Sequence, residues 1–192
     1  MAYELPHAYE LPHDGDVPVA TIIIGLILLM ICVLYQTKKI TKIPCGNDFK
    51  SIVASQFVHV NWVHLAANLF TLWYLANLER GFGWSKFIGL VLVITLLSSA
   101  IDTLLGHLLG KRQCSIGFSG VLFGLVAWSV ITAGGLRWYN IAMVVGLLIT
   151  NIGPHISVRG HVIGAVTGLG LALVYNATRP ESSPISKRFV VR

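Results

Sequence analysis

The sequence predicts an all-α membrane protein with six transmembrane helices. Of its 192 residues, 55% are hydrophobic and only 11% are charged, whereas a soluble domain carries about 25% charged residues. The hydrophobic residues form long continuous runs, and roughly 20 such residues cross the hydrocarbon core as a helix. The runs lack the alternating pattern of an outer-membrane barrel, so helices are the expected spanning elements.

The apolar segments account for most of the chain. They are predicted at about 18–35, 53–78, 87–109, 117–133, 139–153 and 160–177. Short loops join them, so neighbouring helices are expected to be antiparallel. The predicted organisation is therefore a flexible tail at 1–17, a six-helix membrane domain at 18–178 and a C-terminal tail at 179–192.

The N-terminal tail contains the six-residue string AYELPH twice, at 2–7 and 8–13. Two short copies interrupted by proline are typical of a flexible tail, and a docking site for another protein is the alternative. The charged residues before the first segment are all acidic, whereas a signal peptide begins with a positive region. The first segment is therefore predicted to be a retained anchor.

Charge does not decide the orientation. With both termini taken as cytoplasmic, as we expect, seven Lys and Arg residues fall on each side, so the positive-inside rule is balanced. The net charge of +6 fits contact with the headgroups of a lipid bilayer. No basic stripe with interleaved aromatic residues indicates nucleic acid.

The three cysteines have no zinc-type spacing. Cys32 falls in the first apolar segment and is expected to be a small buried hydrophobe. Cys45 and Cys114 fall in loops on the same face of the membrane, so a disulfide between them is possible in an oxidising compartment.

The string Gly117-Phe118-Ser119-Gly120 opens the fourth segment. A hydroxyl at a helix N-terminus lies near unpaired N–H groups and a dipole that favours developing negative charge. Flanking glycines let a substrate approach the backbone. The string differs from the Gly-x-Ser-x-Gly elbow of soluble hydrolases because Val121 occupies the fifth place. Taken alone, it could equally be a small-residue packing site.

His161 is the candidate base for Ser119. It lies within the sixth segment, and an ionisable residue inside a spanning helix is a functional candidate. Glycines four residues apart on the two helices favour close packing of their backbones. These glycines are Gly120 and Gly124 in the fourth segment and Gly160, Gly164 and Gly168 in the sixth.

A third polar cluster begins the second segment, with His59, His64 and Asn68. His64 and Asn68 are four apart and share one helical face. Both can donate a hydrogen bond to an oxyanion. A metal site is the alternative, but the spacing of five between the histidines does not suit a helical zinc site, so no metal or cofactor is predicted.

Together these motifs resemble the rhomboid intramembrane serine proteases. The family has a six-helix core, with His-x4-His-x3-Asn in the second helix, Gly-x-Ser-Gly at the fourth and a histidine followed by small residues in the sixth. The chain carries all three motifs in that order, and the resemblance covers about residues 18–177. Glu79 and Gly83 are also similar to a loop of the family.

The resemblance implies a role for each residue. Ser119 would be the nucleophile and His161 the general base and then acid. His64, Asn68 and the Ser119 N–H would stabilise the oxyanion. The residues expected to support the site are His59, Glu79, Gly117, Gly120, Phe123, Gly164 and Gly168.

Three features differ from the family pattern or add to it. Phe123 stands where some members have a tyrosine that packs on the base, so it can stack but not hydrogen-bond. The first loop, at about 36–52, is shorter than in members with a large amphipathic loop. Asp102 either orients His161 as a third member or reaches the membrane interface.

The implied function is cleavage of single-pass transmembrane proteins within the bilayer by a Ser-His dyad. A catalytically inactive rhomboid-like protein that binds transmembrane helices is one alternative. The other is a small transporter with His64, Asp102 and His161 as its polar path, although no inverted repeat is evident. No oligomeric state is predicted.

Overall fold

The computed structural model describes residues 17–46, 48–110, 115–132, 141, 145 and 158–178, and its regular elements are all helices. Their bounds are α1 Val19–Gln36, α2 Phe49–Ser55, α3 Trp62–Tyr74, α4 Ala76–Phe82, α5 Trp84–Leu109, α6 Ser119–Thr132 and α7 Val158–Thr178. The predicted all-α membrane fold is confirmed. Both predicted tails lie outside the described residues, apart from Val17.

Three of the described helices are long and apolar enough to cross a membrane, namely α1, α5 and α7. They match the first, third and sixth predicted segments within three residues. The fourth segment corresponds to α6, which has 14 residues and begins at Ser119, two residues after the predicted start. The fifth lies outside the described residues except for Ile141 and Val145, which are helical.

The second predicted segment, 53–78, is not one helix. It is divided among the end of α2, the whole of α3 and the start of α4. The cause of the first break is Asn61, whose extended backbone and side chain cap α3 by accepting a hydrogen bond from the His64 amide at 2.7 Å. The predicted segment was too long because it included apolar residues of α2. The helix that follows, α3, starts only after Asn61.

The first loop contains the short helix α2. Asp48 is its N-cap and accepts a hydrogen bond from the Ser51 amide at 2.9 Å. Hydrogen bonds from the Ser51 side chain and backbone hold the pKa of Asp48 below its usual value. The loop is thus partly ordered by a capped turn of helix rather than by a large amphipathic element.

A buried carboxylate ties the end of the α3–α4 segment to the start of α1. Glu79 is 3% exposed and accepts hydrogen bonds from the amides of Ala20 at 2.7 Å and Thr21 at 2.8 Å. These are amides that a helix N-terminus leaves without intrahelical partners. The negative charge also complements the positive end of the helix dipole.

The outer faces of the long helices are apolar and exposed. Large hydrophobic side chains such as Leu26, Leu104 and Val174 are more than half exposed, which in water would form an unusually large apolar patch. In a bilayer these faces contact lipid, which agrees with an integral membrane protein. The described core lies on the inward faces of α1, α3, α5 and α6, with single residues from α4 and α7.

Helices α6 and α7 run parallel and touch along their glycines. A Cβ on Gly164 would collide with the Gly120 carbonyl, and one on Gly168 would collide with the Gly124 carbonyl. The two backbones are therefore closer than any larger residue would allow. The predicted glycine grooves do face each other, and they bring the starts of α6 and α7 together.

Two of the three cysteines are described. Cys32 is free and buried, as predicted, whereas Cys45 is disulfide-bonded. Cys114 lies outside the described residues, so the pairing of Cys45 with Cys114 stays a prediction.

We expect Gly168→Ala to destabilise the protein by about 1–3 kcal/mol, because the methyl group is forced into the Gly124 backbone. Gly170→Ala is the matched control on the same helix, since a Cβ there meets nothing within 4 Å. Thermal unfolding in detergent measures both. Equal melting temperatures for the two variants would contradict the close contact of α6 and α7.

Candidate active site

The loop that leads into α6 is held by the segment between α2 and α3. The Gly117 amide donates to the Ser55 carbonyl at 3.1 Å, and the Phe118 amide donates to His59 Nε2 at 3.5 Å. The Phe118 side chain is fully buried and its ring lies 5.7 Å from that of Phe57. These contacts fix the position at which α6 begins.

Ser119 is the first residue of α6 and is 2% exposed. Its Oγ lies 2.8 Å from Nε2 of His161, the fourth residue of α7. This is hydrogen-bond distance, so the serine proton can pass to the imidazole without rearrangement. The structure thus brings together the two residues that the sequence proposed as nucleophile and base.

The His161 ring packs on Phe123, one turn into α6. Their ring centroids are 4.6 Å apart and the planes are inclined by 30°. Among the described residues, His161 Nδ1 has no hydrogen-bond partner. Stacking and the contact with Ser119 therefore orient the ring, and no carboxylate of the described residues does so.

The His64 ring lies against Gly117. A Cβ on Gly117 would overlap the imidazole, and Gly117 has a φ of 98°. Both the contact and the backbone conformation favour glycine at this position. The described residues provide no hydrogen-bond partner for His64 Nε2. This buried nitrogen therefore lies against Gly117, which is two residues before the nucleophile in the sequence.

Asn68 is fully buried one turn after His64, and its Nδ2 donates to the His64 carbonyl at 2.7 Å. An amide nitrogen carries two protons, so this bond leaves one donor. His59 lies behind His64, with ring centroids 4.9 Å apart in an edge-on arrangement.

A cavity opens beside the dyad. Its space, including the open mouth, is about 410 Å³, and Ser119 and His161 contribute to its wall. The wall also contains polar residues that the sequence did not single out, namely Gln56, Ser98 and Ser115. Gln56 Nε2 donates to the Ser99 hydroxyl at 2.6 Å, and among the described residues Gln56 Oε1 has no hydrogen-bond partner. This oxygen can therefore accept a hydrogen bond from water or from a polar backbone.

Asp102 makes no hydrogen bond to His161. Its carboxylate lies 2.5 Å from Nη2 of Arg159, which comes two residues before the histidine. No sequence motif links Asp102 to Arg159, which lies 57 residues further along the chain. The signal was its position at the start of α7, where an isolated charge at the membrane needs a partner.

The arrangement suits acyl transfer. A buried hydroxyl has a base within reach, lies at the N-terminus of a helix and borders a cavity with polar walls. The amides of the first turn of α6 have no intrahelical acceptors and point toward the nucleophile end. Such donors are what a tetrahedral oxyanion requires.

Residues 46–177 match the protein-family model of the Rhomboid domain. The chain belongs to the rhomboid family. A rhomboid protein of Acanthamoeba polyphaga mimivirus is 28% identical over 152 residues, which cover 78% of this chain and 88% of the viral protein.

Other relatives of this rhomboid protein differ in their names. Rhomboid-type serine protease 2 of Emericella nidulans is 30% identical over 68% of this chain and 27% of its own length. Inactive rhomboid protein 2 of Homo sapiens is 26% identical over 67% of this chain and 16% of its own length. The chain thus spans less than a third of these two relatives, and the family includes proteins named as proteases and as inactive.

We expect Gly117→Ala to cost more stability than Gly83→Ala. Both glycines have positive φ, at 98° and 84°, so each alanine carries a backbone strain of about 1–3 kcal/mol. Only the alanine at 117 also collides with His64, because nothing lies within 4 Å of a Cβ at 83. Thermal unfolding in detergent compares them, and equal losses would argue against the contact between His64 and Gly117.

Proposed function

We propose that this rhomboid protein is an active intramembrane serine endopeptidase that cleaves single-pass transmembrane proteins. The observation that carries the proposal is the 2.8 Å contact of Ser119 Oγ with His161 Nε2 at the side of a cavity. A family member that had lost activity would have no need to keep both groups in this geometry.

In the proposed reaction, Ser119 Oγ attacks the scissile carbonyl carbon as His161 Nε2 takes its proton. The imidazolium then donates that proton to the leaving amine. In the second step His161 takes a proton from water as the water oxygen attacks the acyl carbon, and it returns the proton to Ser119 Oγ as the ester bond breaks. No carboxylate is needed to orient the base, because Phe123 stacks on one face of the ring.

The developing oxyanion would be stabilised by the Ser119 amide and by the side chains of His64 and Asn68. His64 Nε2 is buried and its ring lies against Gly117. The second proton of the Asn68 amide completes the set. Removing one such donor typically slows acyl transfer by about 10²–10³-fold.

Four further residues have supporting roles in this proposal. His59 holds the loop before α6 through the Phe118 amide, and Glu79 fixes the start of α1. Gly164 and Gly168 let α7 approach α6 closely enough for the dyad to form.

The substrate must present an extended peptide to Ser119. A peptide bond within a helix is shielded by side chains and by its own hydrogen bonds, so a transmembrane substrate would have to unwind locally. The polar wall formed by Gln56, Ser98 and Ser115 can solvate the freed backbone groups and admit the water that hydrolysis requires.

The alternative is a rhomboid protein that binds transmembrane helices without cleaving them, as the name of the human relative suggests. Ser119→Ala and His161→Ala separate the two. We expect each to abolish cleavage of a single-pass reporter in proteoliposomes while expression and melting temperature persist, because each removes a reacting group and leaves the packing. Full cleavage by Ser119→Ala would exclude the serine mechanism.

We further propose that both termini are cytoplasmic and that the active site opens toward the opposite side. The disulfide at Cys45 supports this orientation, since disulfides persist in oxidising compartments. The Cys45 loop follows the end of α1, so the start of α1 lies across the membrane from it. The start of α6 lies beside the segment that follows α1, because the Gly117 amide donates to the Ser55 carbonyl. The end of α6 is therefore on the side of the start of α1, and the end of α7 is there too, because Asn176 contacts Ile131.

Glycosylation in a eukaryotic host tests the orientation. Asn176-Ala177-Thr178 is an acceptor sequence, and Phe49→Thr creates a second one at Asn47 in the Cys45 loop. We expect no glycan on the wild-type chain and a glycan on the Phe49→Thr chain, detected as a mobility shift removed by endoglycosidase. A glycan at Asn176 would reverse the proposed orientation.

A further inference from the structure

Arg159 and Asp102 form a contact between α7 and α5 beside the dyad. Arg159 Nη2 donates a hydrogen bond to the Asp102 main-chain oxygen and lies 2.5 Å from its carboxylate. The carboxylate contact meets the distance but not the angle of a hydrogen bond. The guanidinium is therefore aligned on the α5 backbone and neutralised by the side chain of the same residue.

The pair is buried at the level of the active site. The side chains of Arg159 and Asp102 are 15% and 6% exposed. Asp102 also forms part of the cavity wall together with Ser119 and His161. An unpaired charge at this depth is costly, so the two side chains hold each other in place.

The base occupies a part of α7 that needs an anchor. His161 is the fourth residue of the helix, and helix ends fray. Gly160 directly precedes it, and glycine lowers the stability of a helical turn. A rotation of about 10° moves an atom about 6 Å from the helix axis by about 1 Å. That displacement would break the contact of His161 with Ser119.

The two fixed sides of α7 together determine its position. Residues two apart on a helix point in nearly opposite directions, so Arg159 and His161 leave α7 on different sides. The glycine contact sets the distance between α6 and α7. The glycines contact α6 only, whereas Arg159 connects α7 to α5. This second contact limits rotation of the first turn of α7 about the helix axis.

We propose that Arg159 and Asp102 are positioning residues that hold the first turn of α7 so that His161 meets Ser119. The expected effect on kcat rests on the proposed protease function. The anchoring of α7 by Arg159 and Asp102 does not depend on that function. Neither residue takes part in proton transfer to the substrate, and the pair acts through the base.

Kinetics on a single-pass reporter test the positioning role. We expect Arg159→Ala and Asp102→Ala each to lower kcat roughly 10- to 100-fold with little change in KM, since misplacement by about 1 Å can cost this much. The double variant should lose no more than Arg159→Ala, because Arg159→Ala already removes both the main-chain and the carboxylate contact. Losses that multiply, or a wild-type kcat in both single variants, would overturn the proposal.

Conservative variants separate positioning from a general loss of structure. Arg159→Lys keeps the charge without the planar fork, and Asp102→Asn keeps a side-chain oxygen beside the guanidinium but loses the charge, so both should fall between wild type and alanine. Arg80→Ala is the control, because Arg80 pairs with Asn77 near the opposite end of the bundle. If the conservative variants were as slow as the alanine variants, the rate would not depend on the Arg159–Asp102 contact as proposed, and the proposal would be wrong.

Hydrogen exchange tests the anchoring without relying on activity. We expect the amides of residues 162–165 to exchange faster in Arg159→Ala than in wild type or Arg80→Ala, with the remainder of α7 unchanged. Unchanged exchange would overturn the anchor whether or not the protein is a protease. Wild-type protein that cleaves no better than Ser119→Ala would instead reject the proposed function and leave the exchange result to decide the anchor.

Discussion

The close contact of α6 with α7 is the constraint on which the site depends. Ser119 begins one helix and His161 lies in the first turn of the other. Their 2.8 Å separation requires backbones that approach at van der Waals distance, and only glycine permits this at positions 164 and 168. The glycine contact between these parallel helices thus brings Ser119 and His161, which are 42 positions apart in the sequence, within hydrogen-bond distance.

The rest of the fold provides what that pair needs inside an apolar medium. Hydrogen bonds from the loop amides to the Ser55 carbonyl and to His59 Nε2 hold the loop before Ser119, and Phe123 supports the base from one face. On the opposite side of the bundle, Glu79 occupies the start of α1. The Ser119 hydroxyl, the Glu79 carboxylate and the two loop amides are each buried next to a hydrogen-bond partner, which is how a low-dielectric interior tolerates polar groups.

Sequence alone predicted the fold class and the family, both of which are confirmed. The long apolar runs were sufficient for α1, α5 and α7, because membrane spans depend on length and composition. The same criterion failed at 53–78. Hydropathy does not register a helix cap, and Asn61 divides that segment by bonding to the His64 amide.

The candidate site was predictable to the extent that short motifs determine it. Ser119, His161 and the glycines share recognisable spacings, so their proximity could be inferred. The partner of Asp102 could not be inferred, because Arg159 lies 57 residues away and belongs to no motif. The same holds for Gln56 and Ser115, whose place in the cavity wall depends on how α2 and the loop before α6 pack.

The most direct test of a functional dyad is labelling of the detergent-purified protein with a serine-directed fluorophosphonate. The account predicts labelling of wild-type protein on Ser119, none in Ser119→Ala and a strongly reduced rate in His161→Ala, because the histidine must accept the serine proton. Labelling that persisted in Ser119→Ala, or that was as fast in His161→Ala as in wild type, would contradict a working Ser119–His161 pair.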